Sequence, residues 1–145
     1  MNDYSDFEQL FSTMMQLGKL MSQQTQETHE ERIATALQLM ALQFLNEQSN
    51  GTVSDIANFL KLSKSSTTQL IERLVKVGFV ARIHDKEDRR IVRLNITKNG
   101  EKEFEVLKHE IIEKMKKTLD KIPEKDILEL IRIHTDLIDT LKKQN

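Results

Sequence analysis

The hydrophobic period of this chain changes twice between residues 52 and 97, and that change restricts the fold more than any other feature. Upstream, apolar residues recur at three-four spacing. Phe7, Leu10, Phe11, Met14, Leu17 and Met21 mark a long amphipathic helix over residues 4–28, and Ile33, Leu37, Met40, Ala41, Phe44 and Leu45 mark another over 33–46. Gln48-Ser49-Asn50-Gly51 stops the second. Ser54 is placed to cap a short helix carrying Ile56, Ala57 and Leu60, and the chain turns near Leu62. Ser63 caps the next helix, which runs to Val77 and ends at Gly78. The period then falls to two. Residues 79–84 read as a strand, 85–89 as a charged connection, and 90–96 as a second strand with Val92, Leu94 and Ile96 on one face. Thr97 restores the helical spacing through Phe104, Leu107, Ile111, Met115 and Leu119. Pro123 breaks it, because the residue before a proline disfavours the helical region. A last helix carries Ile127, Leu130, Ile131, His134, Leu137, Ile138 and Leu141.

The expected fold is therefore mainly α with a small β-hairpin wing (α+β), a winged helix-turn-helix between N- and C-terminal dimerisation helices. The expected boundaries are 1–31, 32–97 and 98–145. Ala57 is small enough to let the two central helices approach. On a helical wheel of the second, Thr67, Leu70, Ile71 and Leu74 share a side that should pack on Phe44, Ile56 and Leu60. The opposite side presents Ser65, Gln69, Glu72, Arg73 and Lys76, flanked by Ser66 and Thr68. With Ser63 and Lys64 at the helix start, these residues suit the major groove of duplex DNA. Hydroxyls and backbone N–H groups at a helix N-terminus bind phosphate, Gln pairs with adenine, and Arg pairs with guanine or phosphate. A solvated polar face on an ordinary helix would look the same in isolation.

Charge separates the two readings. The chain carries a net charge of −1, yet residues 61–93 hold nine Lys or Arg against four acids, while residues 1–31 hold six acids and one Lys. A basic stripe on a neutral chain is the electrostatic footprint of a DNA-binding module. In the ribbon, Asp88 and Arg90 are two apart, so both are expected to leave the same face of the strand, where the carboxylate fixes the guanidinium fork. An Arg so held at a ribbon tip suits the narrow minor groove, with Lys86 and Arg89 facing phosphates. The plainer alternative is an exposed hairpin ion pair.

Other chemistry finds little support. Cys is absent, so disulfides and thiol redox sensing are excluded. The N-terminal residues have neither the basic nor the apolar character of a leader peptide, and no apolar run reaches the roughly 20 residues a membrane span needs, so a cytoplasmic location is expected. No Ser-His-Asp arrangement or Gly-rich phosphate loop occurs, so no catalytic residue and no cofactor is assigned. His109, Glu110 and Glu113, joined in space by His29 and Glu30, form the one metal set worth weighing. Their spacing gives no convincing helix-face pair, and no metal is assigned. Met14, Met15, Met21 and Met40 read as core, with a pocket for an adaptable ligand as the alternative.

Three stretches make the chain resemble the MarR (multiple antibiotic resistance regulator) family. They are residues 52–63, residues 64–80, and Asp85-Lys86-Glu87-Asp88-Arg89-Arg90 with Leu94-Asn95-Ile96-Thr97-Lys98-Asn99-Gly100. The last is the most specific, an Asp-x-Arg followed by a Leu-Thr-x-x-Gly-like ending. The chain departs from residues common in that family at Thr67, Gln69 and Ile91, which bears on the operator sequence rather than the fold. The resemblance implies a homodimer with interlocked terminal helices. It further implies major-groove reading by the second central helix and minor-groove entry by Arg90. It also implies transcription regulation, usually repression relieved by a small phenolic or lipophilic effector. The missing Cys excludes the family's thiol-dependent peroxide sensors.

A dimer is expected on physical grounds as well. Phe7, Leu10, Phe11 and Met14 in the first helix, and Leu130, Ile131, Leu137, Ile138 and Leu141 in the last, form apolar stripes that one domain this small cannot cover. A two-fold partner would cover them and set two reading helices on a pseudo-palindromic operator, half-sites about one turn (10–10.5 bp) apart or a multiple of it. A competing expectation is a winged-helix protein-interaction module that dimerises without touching DNA, suggested by the near-zero net charge and by Glu72 on the reading face.

Overall fold

The structure is a computed structural model and describes residues 4–23 and 29–144. Its elements, in chain order, are α1 (Tyr4–Gln23), α2 (His29–Glu47), α3 (Val53–Leu60), α4 (Lys64–Lys76), β1 (Val80–His84), β2 (Val92–Ile96), α5 (Lys98–Leu119) and α6 (Glu124–Gln144). The expectation of helix over residues 24–28 lies outside the described residues. The chain forms two compact units, residues 1–104 and 105–145.

In the first unit one core joins every element from α2 to the start of α5. Ala41, Leu42, Phe44 and Leu45 of α2 meet Ile56 of α3 and Leu70, Ile71 and Leu74 of α4. Val80 of β1, Leu94 of β2 and Phe104 of α5 complete the cluster, with Leu60 half-buried against it. The face expected of α4 is the buried face: Thr67, Leu70, Ile71 and Leu74. Thr67 tolerates full burial because its hydroxyl donates to the Ser63 carbonyl at 2.9 Å. In α2 the buried stripe includes Leu42 and leaves Met40 exposed, a correction of one helical step to the expected face.

Local chemistry sets the boundaries. The cap of α3 is Thr52 rather than Ser54. The Thr52 hydroxyl accepts from the Asp55 N–H (3.2 Å) while the Asp55 carboxylate accepts from the Thr52 N–H (2.8 Å) and hydroxyl (2.7 Å). That reciprocal capping box satisfies donors at both ends, which a lone Ser54 could not do. These bonds, the side-chain one from Thr52 foremost, hold the Asp55 carboxyl below the ordinary carboxylate range. Lys61 takes a left-handed φ of 54° to close the three-residue turn into Ser63, which caps α4 as expected. Gly78, at φ 82°, ends that helix and sends the chain into β1.

β1 and β2 pair antiparallel, Val80 opposite Ile96 and His84 opposite Val92. The α2–α3 turn joins the same sheet. Gly51 bridges Leu94, whose N–H donates to the Gly51 carbonyl at 2.7 Å. In that turn Asn50, not Gly51, takes the left-handed conformation (φ 64°). Thr97 caps α5, its hydroxyl accepting from the Gly100 N–H at 3.0 Å.

The second unit holds the rest of α5, and α6. The Pro123 carbonyl accepts from the Asp126 N–H (2.9 Å) and the Ile127 N–H (3.2 Å), so the chain restarts as a helix just past the expected break. No described residue of α6 is buried. Arg132 grips Glu129 and Asp136 on its polar side, each at 2.6 Å. No helix among the described residues is long and apolar enough to cross a membrane.

Candidate nucleic-acid interface

The outward face of α4 carries the residues expected there. Ser63, Lys64, Ser65, Ser66, Gln69, Arg73 and Lys76 are exposed, and Thr68 is half-buried. Three of the hydroxyls are already engaged within the helix start. Ser63 Oγ accepts from the Ser66 N–H at 3.0 Å and donates to Ser66 Oγ at 2.8 Å, and Thr68 donates to the Lys64 carbonyl at 2.8 Å. Ser65 and the long side chains therefore supply most of the reach of this face. Glu72 leans to β1, where its carboxylate lies 4.0 Å from the Arg82 guanidinium.

The wing forms the expected pair by an unexpected route. Asp88 and Arg90 do not lie in a strand, so the pleat does not align them. They sit in the connection between β1 and β2, where Asp88 Oδ1 accepts from both the backbone N–H of Arg90 (3.0 Å) and its Nε (3.2 Å). This is a side-chain-closed turn, a conformation Asp adopts readily. Arg90 Nη2 reaches Asp88 Oδ2 at 3.4 Å, yet the Arg90 side chain remains 91% exposed. Lys86 and Arg89 are exposed beside it. The Arg89 carbonyl accepts from His84 Nδ1 at 3.0 Å, which ties the tip to the end of β1.

Four residues that the sequence did not single out organise this wing. Asp85 Oδ1 accepts the N–H groups of Glu87 (3.0 Å) and Asp88 (3.2 Å), and Asp85 Oδ2 accepts Arg93 Nε at 3.0 Å. Those bonds, the Asp88 N–H first and Arg93 next, hold the Asp85 carboxyl below its ordinary range. Arg93 also donates to the Asn50 carbonyl (3.4 Å). Asn50 and Asn95 pair reciprocally, backbone N–H to Oδ1 at 2.7 Å and Nδ2 to Oδ1 at 3.1 Å. The repeat of Asp85 and Asp88, each two or three residues before a turn N–H, is a local signal of tandem side-chain turns. The Asn50–Asn95 pair spans 45 residues and leaves no such mark.

The remaining expectations divide. The apolar stripes of α1 (Phe7, Leu10, Phe11, Met14) and α6 (Leu130, Ile131, Leu137, Ile138, Leu141) are 42–66% exposed. Met14, Met15, Met21 and Met40 are exposed too, so they are not core of the single chain. Met14 and Met15 line an open groove between α1 and α2 instead. A second groove of about 430 Å³ runs between α2 and α4, walled by Ile33, Leu37, Leu62 and Leu70, with Gln69 and Arg73 at its polar edge. Glu113 pairs with Lys116 at 2.9 Å, and the side chain of His29 lies outside the described residues. Among the described residues no three His, Asp or Glu are placed to hold a metal ion.

Known proteins resemble this chain in sequence and in fold. A family model described as MarR family matches residues 34–92, which span α2 to the start of β2. The HTH-type transcriptional regulator YfiV of Bacillus subtilis is 37% identical over 110 residues, 74% of this chain and 69% of that protein. The chain belongs to the MarR family. The HTH-type transcriptional repressor MdtR of B. subtilis is 30% identical over 122 residues, 82% of this chain and 79% of that protein. The crystal structure of the B. subtilis protein YusO covers 95% of this chain and 99% of its own at a TM-score of 0.71 and 23% identity, a likeness of fold. MarR family membership makes this chain a DNA-binding transcription regulator with the winged helix-turn-helix read from its sequence. The protein-interaction reading built on Glu72 is not favoured.

Proposed function

We propose that this MarR family chain is a cytoplasmic homodimeric repressor of a pseudo-palindromic operator. In it α4 enters the major groove through Ser63, Lys64, Ser65, Ser66, Thr68, Gln69, Arg73 and Lys76. The wing enters the adjacent minor groove through Arg90, braced by Asp88, with Lys86 and Arg89 on phosphates. The observation that carries this reading is the state of Arg90: held by a carboxylate through two bonds, yet almost wholly exposed. Surface ion pairs contribute little to stability, roughly 0–1 kcal/mol, so this pair gains its use from fixing a guanidinium for a partner outside the chain. The stripes of α1 and α6 form the two-fold interface, residues 1–31 and 98–145 serve dimerisation, and residues 32–97 read DNA. Repression follows the relative MdtR.

A small lipophilic or phenolic effector would release the operator. The α2–α4 groove supports that step, because its walls are largely apolar and its polar lining includes Gln69 and Arg73 of the reading helix. A ligand there competes with DNA for the same two side chains.

Selecting bound sites from a random duplex pool identifies the operator, and titration at several salt concentrations tests the mode of binding. Log affinity should fall linearly with log salt, by about 0.9 per phosphate neutralised. Arg90→Ala and Arg73→Ala should each weaken the selected duplex sharply. Tight binding that ignores both substitutions refutes the reading.

A further inference from the structure

The Asp88–Arg90 pair accounts for the fingertip but not for what aims it. A seven-residue connection carrying an Arg at its tip is free to swing unless something ties its base to the body of the domain. Here the ties form one continuous chain. The Asn50 carbonyl, in the turn after α2, accepts from Arg93 Nη1 (3.4 Å), and Arg93 Nε donates to Asp85 Oδ2 (3.0 Å). Asp85 Oδ1 then accepts the Glu87 and Asp88 N–H groups, and Asp88 accepts both the N–H and the guanidinium of Arg90. The inner pair is the less exposed, 33% at Arg93 and 22% at Asp85, against 41% at Asp88 and 91% at Arg90. The inner links are thus shielded from water and salt far better than the outer one. The inner end is itself fixed by the reciprocal Asn50–Asn95 bonds and the Gly51–Leu94 bridge.

We infer that Arg93 and Asp85 are positioning residues for operator binding: their ion pair anchors the wing to the α2–α3 turn and sets the direction in which Arg90 is presented. The inference rests on the reading of Arg90 as a minor-groove contact. A side chain ordered before binding loses less freedom on entering the groove, so the gain appears in affinity without any contact by Arg93 or Asp85 to DNA.

Electrostatics alone predicts the opposite for one of the two residues, which makes the inference testable. Asp85→Ala removes a negative charge beside the DNA-facing tip, so a purely coulombic account has it bind DNA more tightly. Positioning has it bind more weakly, by about tenfold for the ordering lost in the wings of a dimer. The full-length protein is titrated with the duplex selected by the wild type, for Asp85→Ala, Arg93→Ala, Arg90→Ala and each double variant with Arg90→Ala. Asp85→Asn and Arg93→Lys are added as milder changes, and unfolding midpoints are recorded for all. The expected result is a loss for Asp85→Ala and Arg93→Ala that nearly vanishes in the Arg90→Ala background, while their thermal shifts are the same in both backgrounds. Arg93→Lys should recover part of the loss. Tighter or unchanged binding by Asp85→Ala overturns the inference, and so does an equal loss in both backgrounds, which would mark a general structural role. If Arg90→Ala alone costs nothing, the minor-groove reading beneath the inference falls, and the inference with it.

Discussion

Gly100 sits where the first turn of α5 crosses the start of the wing, and replacing it with Ala measures how tightly that junction is built. A Cβ at this position would lie 2.1 Å from the Phe79 carbonyl oxygen, 2.9 Å from the Phe79 carbonyl carbon and 2.8 Å from Ile96 Cγ1. Non-bonded heavy atoms settle about 3.5–4.0 Å apart, so the backbones must separate by about 1 Å or more. The Phe79 carbonyl is not free to retreat, because it accepts from the Thr97 N–H at 2.9 Å, and the Thr97 hydroxyl donates to the Gly78 carbonyl at 2.6 Å. Relief therefore breaks one or both of these bonds and loosens Ile96 and the buried Phe104 from the core. Overpacking costs about 1–3 kcal/mol and each lost hydrogen bond about 1 kcal/mol. Together they reach about 2–5 kcal/mol, a large part of a stability that is typically about 5–15 kcal/mol. At about 2–4 °C per kcal/mol for a chain of this size, the unfolding midpoint should fall by roughly 10 °C. Gly78→Ala is the comparison. It meets nothing within 4 Å but forces a side chain into φ 82°, and should cost about 1 kcal/mol. Thermal unfolding followed by circular dichroism orders the two variants. A midpoint for Gly100→Ala equal to or above that of Gly78→Ala refutes the close approach.

Further outcomes follow from single interactions. Thr52→Ala removes the capping box of α3 and should lower stability by about 1 kcal/mol in denaturant unfolding, whereas Ser54→Ala should change little. Asp55 and Asp85 both titrate below their unfolded range of about 3.9, so their contribution is complete above that value and is lost as pH falls through the folded pKa. The unfolding midpoint should therefore be insensitive to these two groups from pH 7 to about 5 and drop below about pH 4, with a smaller drop in Asp55→Asn. Ile131→Asp places a charge in the exposed stripe of α6 and should shift sedimentation from dimer to monomer; an unchanged dimer removes α6 from the proposed interface.

The parts of the fold that the sequence disclosed are those governed by short-range periodicity. The buried face of α4 follows from a 3.6-residue repeat that Thr67, Leu70, Ile71 and Leu74 share, and Ser63, the first hydroxyl after the turn at Leu62, caps it. Thr52 and Ser54 do compete, and both hydroxyls look alike until the Asp55 side chain is seen to reach back. The spacing by two of Asp88 and Arg90 mimics the alternation of a strand, but in this turn it reflects a side-chain hydrogen bond instead of a pleat. The Met side chains of α1 looked like core because apolar residues at helical spacing state that a face is to be covered, not by which chain. The wing's anchor was hidden because Asn50 meets Arg93 and Asn95 across more than forty residues, a contact fixed only by the register of β2 against the α2–α3 turn.

That anchor also explains how a chain of net charge −1 presents a cationic surface. Residues 61–93 contain four acids, and three of them have an Arg of the same segment beside them: Asp88 is bonded to Arg90, Asp85 is bonded to Arg93, and Glu72 lies 4.0 Å from Arg82. These acids do not face outward as uncompensated charges that would repel phosphate. Two of them shape the wing, and the third lies between α4 and β1. Of the nine basic residues, Lys61, Lys64, Arg73, Lys76, Lys86 and Arg89 have no ion-pair partner among the described residues, and all six are exposed. Counting net charge treats every ion as free, whereas the field felt by a polyanion is set by the ions left uncompensated at the surface. Glu72, the residue of this segment that argues most against DNA, thus has the Arg82 guanidinium 4.0 Å away to offset its charge.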